Sequence, residues 1–85
     1  MPNYVVESYL VDSAPALADA RARARLAAES GVGIHHVRTM FLPADEVALH
    51  VFEAPSADAV HRALRNAALS YQRIVESIEA AAEPR

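Results

Sequence analysis

Residues Met40 to Ser56, MFLPADEVALHVFEAPS, decide the fold. Two runs of strand-forming residues flank the polar connection Pro43-Ala44-Asp45-Glu46, and Pro55-Ser56 closes the second run, so the stretch reads as a β-hairpin. On each side of it lie one Ala-rich helical run and one short apolar run. The chain is therefore nearly symmetric about the hairpin.

Upstream, Asn3 to Val11 (NYVVESYLV) is rich in β-branched and aromatic residues and is bounded by Pro2 and Asp12-Ser13, which predicts a first strand. Alternation puts Val5, Glu7, Tyr9 and Val11 on one face of it. Glu7 stands out there as an acid in mid-strand, either paired to an arginine at a solvated face or part of a site. Ser13 or Asp12 then caps a helix over Ala16 to Ser30, with Pro15 in its first turn and Gly31 at its end. Leu17, Ala20, Ala24 and Ala27 form a shallow seam for close packing on a sheet. Arg21, Arg23 and Arg25 read as a solvated helix face.

Ile34 to Leu42 (IHHVRTMFL) is the first hairpin strand, with Ile34, His36, Arg38, Met40 and Leu42 expected on one face. Glu46 to Ala54 returns as the second. Its uniformly apolar side, Val47, Leu49 and Val51, is expected to meet the helices, leaving Ala48, His50 and Phe52 on the other side. Ser56 caps a second helix over Ala57 to Ala68, with Asp58 in the first turn and Val60, Leu64 and Ala67 or Ala68 as the buried stripe. Tyr71 to Ile78 fits either helix or strand by period. Symmetry and the cluster Ile74, Val75 and Ile78 favour a fourth strand, with Ala80 to Arg85 as a frayed end.

The order strand, helix, strand, strand, helix, strand predicts an α+β single domain over residues 1–85: a ferredoxin-like split βαβ fold, a four-stranded antiparallel sheet with two helices on one face. The second sheet face would carry Val5, Tyr9, Ile34, Met40, Phe52, Ile74 and Ile78, too apolar for water. A homodimer packed face to face, as an α/β-barrel-like assembly, is expected. The same parity places Glu7, His36, Arg38, His50 and Glu76 on that face, where titratable groups must be paired, hydrated or metal-bound.

Composition narrows the function classes. A formal net charge of −3 argues against a nucleic-acid partner, which needs a basic surface. No run approaches the length of about 18 apolar residues that suggests a membrane span, and Met1 to Asn3 lacks a basic signal region. The absence of cysteine fits a cytoplasmic location and excludes thiolate metal sites. No nucleophile triad, phosphate loop or nucleotide fingerprint is present.

The stretches RTMFLPADEVALHVFEAPSADAV and ALSYQRIVESIEA carry a resemblance. Through Pro43 with Asp45-Glu46, the run Phe52 to Ala57, and Arg73-Ile74-Val75-Glu76, the chain resembles a family of small dimeric ferredoxin-like proteins of unknown function that includes a nickel-binding protein. The resemblance implies a cytoplasmic homodimer and nickel binding; it supplies no ligand identities.

From the residues themselves, imidazole and carboxylate are the available donors, and imidazole suits Ni²⁺. His36 and His50, on antiparallel neighbouring strands, are the expected metal pair, with Glu7 and Glu76 as oxygen donors. Two alternatives stay open. One is a small-molecule enzyme of acid/base type, such as an isomerase or cyclase, using His50, His36, Glu7 and Arg38 in the dimer cavity. The other is a metal-free interaction module.

Overall fold

Six elements span residues 1–78 of the computed structural model, which are the residues described: β1 (Asn3–Tyr9), α1 (Ala14–Ser30), β2 (His35–Leu42), β3 (Val47–Glu53), α2 (Ala57–Asn66) and β4 (Arg73–Ser77). The expected frayed end, Ala80 to Arg85, lies outside them. The sheet order is β2-β3-β1-β4 with every neighbouring pair antiparallel. This is the ferredoxin-like βαββαβ arrangement, and the ambiguous last segment is a strand.

Local chemistry accounts for the boundaries. The Ser13 hydroxyl accepts from the Ala16 N–H and that of Ser56 from the Ala59 N–H, satisfying donors that each helix start leaves open. Gly31 ends α1 where any Cβ would stand 2.6 Å from Ile34 Cδ1, so Ile34 can reach the core only past a glycine. In the hairpin loop Glu46 takes a left-handed φ of 51°. That conformation aims its carbonyl at the Leu10 N–H (2.8 Å) and its carboxylate at the Asp12 N–H (3.1 Å), tying the β1–α1 connection to the hairpin.

The core lies between one sheet face and the helices. Ala20, Ala24 and Ala27 of α1 are buried, as are Val60 and Leu64 of α2, so the expected seams are observed except at Leu17, which is half-buried and not part of the core. Small residues along α1 let it approach the sheet closely, while α2 contributes the larger apolar volume.

Two face assignments differ from the sequence expectation. The helix-facing side of β3 is Ala48, His50 and Phe52, all buried, whereas Val47, Leu49 and Val51 look to the open face. In β2, a β-bulge at Val37 shifts the register, because His36 lies opposite Phe52 while Arg38 lies opposite Val51. The extra residue inverts the alternation, so His36, Thr39 and Phe41 face the helices and His35, Arg38, Met40 and Leu42 face away. Ile34, Phe52 and Ile74 consequently belong to the helix side. Val5, Tyr9 and Met40 remain on the open face, and Ile78 follows β4 as an exposed residue.

Candidate functional site

The bulge turns three polar side chains toward one another beneath α1. His36 Nε2 and His50 Nδ1 are each hydrogen-bonded to Thr39 Oγ1 at 2.8 Å, and the two ring centroids lie 6.4 Å apart. His50 comes from β3, His36 and Thr39 from β2 on either side of the extra residue. Register explains the meeting: Thr39 sits directly opposite His50, and His36 two pairs further along opposite Phe52, whose ring centroid is 5.3 Å from the His36 ring.

Thr39 has one hydroxyl proton, so it donates to one imidazole and accepts from the other. The tautomers of the two rings are thereby linked. His50 is fully buried, and its Nε2 has no hydrogen-bond partner among the described residues. Leaving such an atom without a partner costs about 1–3 kcal/mol, an expense the rest of the core must offset.

Burial pushes the His50 ring down from 6.5 to about 4, and the neighbouring His36 adds to the effect. His36 is lowered too, first by burial and then by the charges of Arg21 and Arg25, against a backbone hydrogen bond at Arg38 that raises it. At neutral pH both rings are therefore uncharged, the state that imidazole needs to act as ligand or base.

The other expected site residues lie elsewhere. Glu7 is on the open face and pairs with Arg73, its cross-strand neighbour in β4. Arg38 is exposed on the open face, opposite Val51. Glu76 shares the helix-facing parity of Tyr4 but is exposed on the edge strand β4, two strand spacings, or roughly 9–10 Å, from the β3 row that holds His50. The histidine pair thus lies under α1 and not on the second sheet face, and neither carboxylate joins it. Among the described residues no group of three or more His, Asp or Glu converges.

Two groups that the sequence reading left without a role come to the site. Thr39 bridges the histidines, and Arg21 and Arg25 of α1 line clefts along the α1–β2 seam, one of about 290 Å³ beside Thr39 and one of about 410 Å³ beside His36. The only advance signal was the row Leu17, Arg21, Arg25 at steps of four beside the alanine seam.

No family model matches the sequence, and no curated protein matches it. Among solved structures, SCO4226 from Streptomyces coelicolor A3(2) is similar, with a TM-score of 0.76 at 20% identity over 93% of this chain and 99% of that one. The fold is the same. At that identity the likeness carries architecture and no site residue. No helix among the described residues is long and apolar enough to cross a membrane.

Proposed function

We propose that this protein binds a divalent transition metal ion, nickel preferred, through His36 and His50. The observation that carries the reading is the convergence of two neutral imidazoles, through His36 Nε2 and His50 Nδ1, on one point, the Thr39 hydroxyl. Donor chemistry supports it, since nitrogen ligands without thiolate suit Ni²⁺ and Cu²⁺. The two rings would hold the ion with the hydroxyl beside them, and water or a bound anion would fill the remaining positions in place of Glu7 and Glu76. Bound there, the ion would supply a Lewis-acidic centre next to the α1–β2 clefts.

Calorimetric titration of tag-free, chelator-stripped protein tests this. Ni²⁺ should bind, Cu²⁺ should compete, and His36→Ala should weaken binding by at least about tenfold, the usual scale for loss of one of few ligands. Because both rings are lowered from their ordinary value, affinity at pH 6.5 should be reduced less than for a pair of ordinary histidines, which would already be half protonated. Unchanged binding in His36→Ala, or none in the wild type, would sink the reading.

The same proposal includes a cytoplasmic homodimer assembled through the open sheet face. Val5, Leu49, Val51 and Val75 are half-buried there beside Tyr9, 72% exposed, and Met40, 41% exposed. A continuous apolar face of this kind favours association. The dimer seam and the histidine pair would then occupy opposite faces of the sheet.

A further inference from the structure

Because the residues of α1 that touch the sheet are alanines, the helix lies close, and the next row out overhangs edge strand β2. That row is Leu17, Arg21 and Arg25, one turn apart. Under it lies the cleft of about 290 Å³, walled by Leu17, Ala18 and Phe41 on its apolar side and by Arg21 and Thr39 on its polar side. A separate cleft further along the seam is lined by Arg25, Ala28, Glu29, Ile34, His35 and His36.

The arginines of α1 divide into two kinds. Arg23 is committed: it pairs with Asp19 at 2.9 Å and donates to the Ala67 carbonyl at 3.3 Å, which ties α1 to the end of α2. Arg21 and Arg25 form no ion pair among the described residues. Glu29, one turn past Arg25 at the far end of the seam, does not neutralise it. One unspent guanidinium, that of Arg21, thus lines a cleft that Thr39 also lines and whose other wall is apolar.

We propose that the α1–β2 cleft binds a small carboxylic acid with an apolar body, its carboxylate on Arg21 and the Thr39 hydroxyl and its body against Leu17 and Phe41. A guanidinium fork matches a carboxylate in shape as well as charge. The volume suits a small molecule and is too small for a nucleotide, being at the low end of ligand cavities. A bare inorganic anion would leave Leu17 and Phe41 uncovered, so the apolar body is part of the recognition. A carboxylate there takes the single Thr39 proton, so the hydroxyl can then only accept from His36 and His50. Ligand binding is in this way read by both rings. The proposal stands on the cleft and Arg21 and does not rest on the metal reading.

Titration of chelator-stripped protein with hexanoate, followed by ¹H–¹⁵N chemical shifts, is the test. Hexanoate should give saturable shifts at Leu17, Arg21, Thr39 and Phe41. Inorganic phosphate and hexanol, which each lack one half of the recognition, should bind at least about tenfold more weakly. Arg21→Gln should weaken hexanoate by about tenfold or more, whereas Arg23→Gln should leave it unchanged. Absence of saturable shifts with hexanoate, equal binding of phosphate, or indifference to Arg21→Gln would each overturn the proposal. Since metal is removed beforehand, failure here leaves the metal titration untouched.

Discussion

Lowering the pH from 6.5 to 4 should remove roughly 3 kcal/mol of folding stability through His50 alone. The ring's proton affinity falls from 6.5 in the unfolded chain to about 4 in the fold, and each pH unit is worth about 1.4 kcal/mol. The sign follows from which state binds the proton: between these values the unfolded chain takes one up and the native state does not, so protonation pulls toward unfolding. The contribution is complete above pH 6.5 and is lost as pH falls through the window. His36, lowered in the same direction, adds to it. His50 is fully buried, so solvent does not screen the effect. For a chain of 85 residues a total stability of about 4–13 kcal/mol is typical, so the loss is a large fraction of the whole. Denaturant titrations at pH 7, 6, 5 and 4 would measure it. His50→Gln, which keeps a hydrogen-bonding group beside Thr39, should start less stable yet show a flatter acid limb. An acid limb as steep as that of the wild type would show that His50 does not carry the effect.

The second large effect separates two residues that strand alternation alone would have put together. Phe52→Asp should abolish the fold, and Met40→Asp should leave it standing. Phe52 is fully buried between the sheet and the helices, packed beside the His36 ring and opposite Tyr4. Removing a buried Phe costs about 3–5 kcal/mol, and an unpaired buried carboxylate adds several more, which together exceed the margin of a domain this size. Met40 lies on the open face, 41% exposed, where a charge meets water and costs less than about 1 kcal/mol of monomer stability. Its effect should fall on the proposed association: sedimentation equilibrium should find a folded monomer for Met40→Asp and a dimer for the wild type. Far-ultraviolet circular dichroism on both variants distinguishes the cases. A folded Phe52→Asp protein would contradict the assignment of that side of β3 to the core.

The elements, their caps and their order were legible in the sequence because each rests on local chemistry. Ser13, Pro15, Gly31, Pro43, Pro55 and Ser56 act within a turn of where they stand, and the seams Ala20-Ala24-Ala27 and Val60-Leu64 follow from helical period alone. The proximity of His36 and His50, on one face of neighbouring antiparallel strands, was legible too, although which face was not. Simple alternation put both on the face away from the helices; in the structure both are on the face beneath them. Two features decided this. Both sides of β3 carry strand-compatible apolar residues, so Val47-Leu49-Val51 and Ala48-His50-Phe52 each satisfied the pattern of an inner face, and only the pairing with β1 and β2 chose between them. The bulge at Val37 has no glycine or proline to announce it, yet it inverts every residue of β2 on one side of it relative to the other. It brings Thr39 between the histidines and sends Arg38 to the open face, where Glu7 is paired with Arg73. Helix caps and seams depend on neighbours within a few residues, and the sequence by itself determined them; strand faces depend on register, which is a property of chain segments meeting across the sheet, and only the tertiary structure decided that.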